Sequence, residues 1–220
     1  MNKLLSTIVA LAAFGSVTFS AQAQDVKASP QAGEKKAAMC IGCHGIPGYQ
    51  ASFPEIYKVP MISGQGAKYI SAALHAYQKG ERKHPTMKGI AASLTEQDIA
   101  DLAAFYEQHG ANPEAAKATA PQPSEAVAKL LDQGKCNSCH GPNFSTPIDG
   151  SYPKLAGQHA DYLYAALKAY QTTANPQVGR ANPIMAATAQ PFTHAQLKLI
   201  AQYLSTLPSD LHTVPQSRFR

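Results

Sequence analysis

Apolar residues recur at helical spacing in four segments of the chain. In each segment they occupy positions i, i+3, i+4 and i+7, which is typical of a helix with one buried face. The four sets are Ile70, Ala73, Leu74 and Tyr77; Ile99, Leu102, Ala103 and Tyr106; Leu163, Ala166, Leu167 and Tyr170; and Leu197, Ile200, Ala201 and Leu204. Since no stretch shows sustained alternation with a period of two, the pattern predicts an all-α protein.

Polar residues mark where the helices begin. Thr95 and Thr193 precede the last helix of each half, and Gln196 completes a capping box with Thr193. Ser29, which is followed by a proline, and Ser124 indicate a further helix at the start of each half. Each half is therefore expected to contain three helices separated by long loops.

The two halves are copies of one unit. The pentapeptide at residues 40–44 recurs at 136–140, an offset of 96 residues. Seven further pairs follow at an offset of 93: Pro60, Gly64, Gln65, Tyr69, Leu74, Tyr77 and Gln78 recur as Pro153, Gly157, Gln158, Tyr162, Leu167, Tyr170 and Gln171. Five more follow at an offset of 98: Arg82, Pro85, Met87, Thr95 and Ala103 recur as Arg180, Pro183, Met185, Thr193 and Ala201. Loops absorb such small differences in length. The repeat predicts two domains, residues 24–110 and 124–220, joined by a linker at 111–123.

The first 23 residues have the features of a secretory signal peptide. Lys3 precedes an apolar run from Leu4 to Phe19, and Ala21 and Ala23 form the small-x-small pattern of a cleavage site. An uncleaved membrane anchor is the alternative, but the run is shorter than the ~20 apolar residues of a spanning helix. We expect cleavage after Ala23 and an exported, periplasmic mature chain.

Charge is divided unevenly between the halves. Residues 24–116 include nine basic and nine acidic residues, whereas residues 117–220 include nine basic and five acidic residues. No basic run has the density of a nucleic-acid-binding stripe, so no nucleic-acid partner is expected. The composition, 45% hydrophobic and 15% charged, excludes a disordered chain and a coiled coil.

Each repeated pentapeptide has the Cys-x-x-Cys-His pattern by which haem c is attached. The two thiols add to the two vinyl groups of a haem, and the histidine binds the iron. The expected residues are Cys40, Cys43 and His44 in the first half and Cys136, Cys139 and His140 in the second. A redox disulfide or a four-cysteine zinc site is the alternative. However, a thioredoxin-like motif follows a strand, and zinc would leave the repeated histidines unexplained. The motifs therefore predict two covalently bound haem c groups.

Met87 and Met185 are the candidates for the second axial ligand of each iron. They are repeat partners, each eight residues before the threonine cap of a last helix, and Met185 is the only methionine of the second half. We expect each to lie on a loop across the distal face of its haem. Ligation by histidine and methionine closes the iron and raises its potential, whereas an open position allows small molecules to bind.

Other repeated residues are candidates for contacts with haem. Arg82 and Arg180 are either solvated loop residues or partners of haem propionates, since a guanidinium offers a fixed fork to a carboxylate. A carbonyl near Pro47 or Pro142 is expected to orient each proximal histidine. Four repeated tyrosines are expected to pack against haem rather than to relay electrons: Tyr69, Tyr77, Tyr162 and Tyr170.

The chain resembles the dihaem cytochrome c4 family over essentially its whole mature length. The resemblance lies in the motifs C-I-G-C-H-G, P-M-I-S-G-Q and G-E-R-K-H-P-T-M, and in C-N-S-C-H-G, Y-P-K-L-A-G-Q and G-R-A-N-P-I-M. It implies two tandem class I cytochrome c domains that face each other across a pseudo-two-fold axis, with haem propionates directed toward the interface. The halves differ at Met61 and Ser63, and in a longer first loop, Gly45–Val59, which is expected to alter either haem packing or a docking surface.

The same resemblance implies an electron carrier that is not an enzyme. Its expected partners are a quinol–cytochrome c oxidoreductase and a terminal oxidase or reductase, which dock transiently, and peripheral association with the membrane is left open. The nearest alternative is the dihaem cytochrome subunit of a dehydrogenase, such as a flavocytochrome sulfide dehydrogenase. A dihaem peroxidase or thiosulfate dehydrogenase would require an exchangeable or non-methionine ligand on at least one iron.

Overall fold

The computed structural model describes residues 26–110, 112 and 114–215. The predicted signal peptide, residues 1–23, and its cleavage after Ala23 lie outside the described residues. In the described part of the chain, no helix combines the length and the apolar character needed to cross a membrane.

Within these ranges, each half contains five α-helices, two more than the three expected from the sequence. Those of the first half are α1 (Pro30–Lys36), α2 (Ala38–His44), α3 (Ala67–Lys79), α4 (Pro85–Ala92) and α5 (Glu96–Gln108). After a 3-10 turn at Ala115–Lys117, the second half contains α6 (Glu125–Gln133), α7 (Cys136–His140), α8 (Ala160–Gln171), α9 (Pro183–Ala189) and α10 (His194–Ser205). Four two-residue strands form two antiparallel pairs: β1 (Gln50–Ala51) with β2 (Tyr57–Lys58), and β3 (Arg82–Lys83) with β4 (Gly179–Arg180). The predicted all-α class is confirmed. The domain limits, including the linker at 111–123, stay a prediction.

The predicted helix starts are confirmed by cap geometry. The hydroxyls of Ser29 and Ser124 accept main-chain N–H bonds in the first turns of α1 and α6. Thr193 forms a capping box with Gln196 at the start of α10, and Thr95 forms the equivalent box at α5. These bonds satisfy N–H groups that have no partner inside a helix.

Each half has its own hydrophobic core. The first is built from Ala37, Ile41, Ile70, Leu102, Ala103 and Tyr106. The second is larger and consists of Val127, Leu130, Leu131, Phe144, Ala156, Leu163, Phe192, Leu197, Ile200, Ala201, Leu204 and Leu207. In the first half, α1 crosses α5 so closely at Gly33 that a Cβ atom there would lie 2.1 Å from the Asp101 carbonyl oxygen.

Asp101 stabilises the contact between α1 and α5. Its carboxylate accepts the Ser29 N–H at 2.8 Å and the Lys36 ammonium at 2.8 Å, so that both ends of α1 are bound to α5. Burial opposes ionisation, but the Lys36 and Ser29 bonds outweigh it and lower the pKa of Asp101. The charge is therefore buried with its partners rather than alone, which is the condition under which a buried carboxylate is tolerated.

Two buried glutamines join the halves in a symmetric way. Gln65 bonds both main-chain groups of Lys154, accepting the N–H at 2.9 Å and donating to the carbonyl at 3.0 Å. Gln158 does the same to Met61, at 3.0 and 2.8 Å. The two glutamines are repeat partners, and so are the two residues that they bond. The expected pseudo-two-fold relation is therefore present in the hydrogen bonds of the interface.

The longer loop of the first half reaches the second half. It folds into the β1–β2 hairpin, in which Lys58 donates its main-chain N–H to Asp161 at 3.0 Å and Glu55 forms an ion pair with Lys168. The Tyr57 ring lies 5.9 Å from the Tyr162 ring on α8. The Gly45–Val59 loop is therefore an interdomain contact, which was not expected from the sequence. Its effect on haem packing or on a docking surface stays a prediction.

The chain after α10 returns to the first half. His212 forms a β-bridge with Ser63. The Asp210 carbonyl oxygen lies so close to Gly64 that a Cβ atom on this glycine would be 2.5 Å from it. Lys154 supports this segment by donating to the Asp210 carboxylate at 2.7 Å and to the Gly64 carbonyl at 2.7 Å. Lys154, whose repeat partner in the first half is Met61, therefore stabilises the interface.

Replacing Gln158 by Ala removes both bonds to Met61 and leaves two main-chain groups unsatisfied in the interface. An unsatisfied buried polar group costs about 1–3 kcal/mol, so we expect a loss of this size in the free energy of unfolding, measured by urea denaturation. Gln202, which is exposed on α10, is the matched control, and Gln202→Ala should change stability by less than about 0.5 kcal/mol. Equal losses in the two variants would contradict the role of Gln158.

Candidate haem sites

Each cysteine motif forms a short helix. Residues 40–44 lie at the end of α2, and residues 136–140 form all of α7. All four cysteines are free thiols of intermediate exposure. Burial raises the pKa of Cys40, and it raises the pKa of Cys136 to about 11. In the described part of the chain, no three His, Cys, Asp or Glu side chains come together to hold a metal ion, so the four thiols do not form a zinc site.

The histidine of each motif is oriented by a proline carbonyl. His44 Nδ1 lies 2.7 Å from the Pro60 oxygen, and His140 Nδ1 lies 3.0 Å from the Pro153 oxygen. Because a carbonyl can only accept, Nδ1 carries the proton and the lone pair is on Nε2. Burial lowers the pKa of both imidazoles. Each histidine is thus a neutral ring with Nε2 ready to bind a metal.

The prediction that a carbonyl near Pro47 or Pro142 orients each proximal histidine was wrong. The partners Pro60 and Pro153 lie 16 and 13 residues after their histidines, beyond the reach of local turn rules. They are repeat partners in the sequence, which is the signal that could have identified them.

Met87 and Met185 lie in helices, not on the loops expected from the sequence. They occupy the first turns of α4 and α9, where their N–H groups donate to the cap residues His84 at 3.3 Å and Asn182 at 2.9 Å. A capping side chain followed by proline at the first helical position favours a helix start, and this signal was present at both sites.

Two repeated glutamines hold these methionine-bearing helices in place. Gln78 on α3 donates to the carbonyls of Ala91 and Leu94, both at 2.9 Å. Gln171 on α8 donates in the same way to the carbonyls at positions 189 and 192, both at 2.8 Å. Although their repeat was evident, the sequence did not indicate this role.

In the second half, the methionine-bearing helix and the cysteine motif border the same groove. This open cavity of about 310 Å³ lies beside Cys139 and is lined on the opposite side by Ala187, Thr188 and Phe192. Lys135 lines its rim. The fold therefore brings together the two segments that the sequence assigned to opposite faces of one haem.

Arg82 and Arg180 meet at the interface as direct partners of the β3–β4 pair. Their hydrogen-bond partners in the described part of the chain are phenols: Arg82 donates to Tyr69 and Tyr162, and Arg180 donates to Tyr162, at 3.1–3.2 Å. The Arg82 guanidinium also lies 4.7 Å from the Tyr77 ring centroid. The four repeated tyrosines thus surround two arginines, which the expectation of simple haem packing did not include.

The positive charge of this cluster is not fully compensated by its protein partners. Burial alone would raise the pKa of Tyr162, but the two guanidiniums outweigh it and lower that pKa to about 7. At Tyr69, burial prevails over Arg82 and raises the pKa to about 12. Arg82 Nε is buried without a hydrogen-bond partner. Such a cluster fits anionic groups, since guanidiniums bind carboxylates through paired N–H donors.

Comparisons with known proteins agree with this geometry. The Cytochrome c family model matches residues 31–110 and 124–208, once in each half. Cytochrome c4 of Azotobacter vinelandii is 31% identical over 223 residues, which cover 94% of this chain and 100% of the relative. The thiosulfate dehydrogenase electron acceptor of Thiomonas intermedia is 28% identical, and the match covers 91% of each chain. The crystal structure of cytochrome c4 from Pseudomonas stutzeri aligns with a TM-score of 0.60 at 26% identity, covering 82% of this chain and 100% of that one.

The fold and its two motifs define a protein made of two cytochrome c domains. The similarity extends over nearly the full chain, including both halves and their arrangement. The chain belongs to the dihaem cytochrome c4 family. It is an electron-transfer cytochrome with two covalently bound haem c groups.

The residues present fit two such groups. Each half offers a pair of free thiols and an oriented, neutral histidine. The buried, unpartnered Arg82 Nε and the uncompensated charge at the interface fit the carboxylates of haem propionates.

Replacing both Cys136 and Cys139 by Ala should remove one haem and keep the other, because each motif supplies a complete pair of thiols. We expect the mass of the purified protein to fall by one haem and the pyridine haemochrome content to halve. The double substitution of Cys40 and Cys43 is the matched control and should have the same effect. Retention of two haems in either variant would contradict independent attachment.

Proposed function

We propose that the protein is a periplasmic carrier that takes electrons from a quinol–cytochrome c oxidoreductase and delivers them to a terminal oxidase or reductase. The observation that supports this proposal is the interface between the halves, at which Arg82 of the first half is paired with Arg180 of the second. An electron that enters through one half can then leave through the other. The predicted signal peptide supports a periplasmic location.

In this proposal each half holds its haem with four residues. The thiols of Cys40 and Cys43, and of Cys136 and Cys139, attach the two haems, and His44 with Met87 and His140 with Met185 bind the irons. The neutral imidazoles support this assignment, as do the glutamine bonds that hold α4 and α9. The bound haem supplies one-electron redox chemistry, while two protein ligands exclude other molecules from the iron.

Arg82 and Arg180 are assigned to the haem propionates. Two guanidiniums on neighbouring strands repel each other, and this repulsion is strong where solvent is partly excluded. Propionates would compensate it, and the donors of Arg82 are not exhausted by its phenol partners. The alternative of solvated loop residues is disfavoured by their hydrogen bonds inside the interface.

A second candidate is the dihaem electron acceptor of a dehydrogenase. It is favoured by the similarity to the thiosulfate dehydrogenase electron acceptor of Thiomonas intermedia over 91% of both chains. Both candidates use the same haem chemistry and differ in whether the partner is permanent. A dehydrogenase polypeptide that copurifies in a fixed ratio from the native organism would favour the acceptor over the free carrier.

We expect Met87→His and Met185→His each to lower the potential of one haem and to leave the other nearly unchanged, because an imidazole stabilises ferric iron more than a thioether does. Potentiometric titration of the two variants measures this. The Met-to-iron charge-transfer absorption should fall by half in each. Two unchanged potentials, or an unchanged absorption, would refute the assignment of these methionines.

The second half should attract anionic reductants more strongly than the first. It has a net charge of +4 against 0, or about +2 against −2 with two ionised propionates on each haem. Exposed Lys135 lies at the groove beside Cys139, whereas the repeat position in the first half is Met39. We expect Lys135→Gln to slow reduction by ascorbate by about twofold at low ionic strength, and salt to remove the difference.

Lys198→Gln, an equal change of charge at an exposed position on α10, is the matched control for Lys135→Gln. It should slow the reaction less. Rates that do not depend on salt in the parent protein would rule out electrostatic steering.

A further inference from the structure

The two repeated tyrosines at the interface are not equivalent. The hydroxyl of Tyr162 accepts from Arg180 Nη2 of its own half at 3.1 Å and from Arg82 Nη2 of the other half at 3.2 Å. In the described structure, the hydroxyl of Tyr69 accepts a guanidinium bond from Arg82 alone, at 3.2 Å. Within this cluster of arginines and tyrosines, the symmetry of the duplication is thus broken at the Tyr162 oxygen.

This oxygen links the two guanidiniums. It accepts one N–H bond from each arginine. If one guanidinium moves, the hydrogen bond between the Tyr162 hydroxyl and the other guanidinium weakens or changes direction. Tyr69 has no such effect on Arg180, because its arginine bond stays within the first half.

The surroundings leave little freedom for the guanidiniums to adjust independently. Their main chains are paired in β3 and β4, and the ring of Tyr57 packs against Tyr162 at 5.9 Å. Both arginines and Tyr162 also line one shared cavity, together with Tyr77. A change at one guanidinium is therefore transmitted to the other.

We propose that Tyr162 is a positioning residue that couples the two haem sites. By holding Arg82 and Arg180 through one hydroxyl, it makes the potential of each haem depend on both guanidiniums. Tyr69 positions Arg82 only and affects only the first haem. The inference rests on the proposed function, in which these arginines face the haem propionates.

The test compares Tyr162→Phe with its repeat partner Tyr69→Phe, each of which removes a single hydroxyl. Both are made in the Met185→His and the Met87→His backgrounds, so that the remaining His/Met haem titrates separately. Hydrogen bonds to charged groups contribute about 1.5–3 kcal/mol, so a partial loss should be measurable. We expect Tyr162→Phe to change the equilibrium constant for reduction of both haems by about threefold or more.

Tyr69→Phe should change that constant for the first haem and leave the second haem unchanged. If Tyr162→Phe shifts only the second haem, or neither haem, the coupling role is overturned. Haem content and thermal melting report whether each variant is folded. Should Tyr162→Phe not fold, Arg180→Lys provides the second test, because it keeps the charge and disturbs the bond to Tyr162. Arg180→Lys must also shift the potential of the first haem, and no shift would overturn the proposal.

The outcome is separable from that of the proposed function. If the Met→His backgrounds fail to lower one potential each, the ligand assignment fails irrespective of the tyrosines. If they behave as expected and the two tyrosine variants have equal effects, only the coupling by Tyr162 fails.

Discussion

Two like-charged guanidiniums meet where the halves of the chain join. Arg82 and Arg180 are paired partners on β3 and β4, a placement that repulsion opposes. Aromatic faces offset part of this cost, since each guanidinium lies over tyrosine rings of its own half. The rest of the interface holds the two halves in register around this charged centre.

The interface combines symmetric and asymmetric contacts. Gln65 and Gln158 repeat one hydrogen-bond pattern on both sides of the pseudo-two-fold axis. The β1–β2 hairpin and the segment after α10 have no such symmetry, since the hairpin extends from the first half to α8 and the segment around Asp210 returns to the first half. A duplicated unit has thus acquired contacts that hold its copies in one arrangement. For an electron carrier with two haems, a constant arrangement keeps the distance between the redox centres constant.

Within each half, main-chain carbonyls and amide side chains position the candidate axial ligands. A proline carbonyl orients the proximal histidine, and a glutamine bonds the end of the methionine-bearing helix. These partners are neutral, so they position the histidines and the methionine-bearing helices without adding charge to either site. Each half contributes one positive charge to the interface instead, where one hydroxyl of Tyr162 contacts both guanidiniums.

The sequence by itself was sufficient for the all-α class, the helix caps and the Cys-x-x-Cys-His motifs, because each depends on residues that are close together along the chain. It was also sufficient for the duplication, because matching residues recur at a nearly constant offset. Local signals also exist for α4 and α9, where His84 and Asn182 precede prolines, although the sequence analysis predicts loops there. The tertiary structure decided which carbonyls orient the histidines, where the Gly45–Val59 loop packs and which tyrosine contacts both arginines. Tyr69 and Tyr162 occupy the same position in the repeat, and they differ only because Arg82 extends across the interface, a contact between residues 80 positions apart. Spacing along a chain carries no information about such a contact, because it arises from the way two folded units pack against each other.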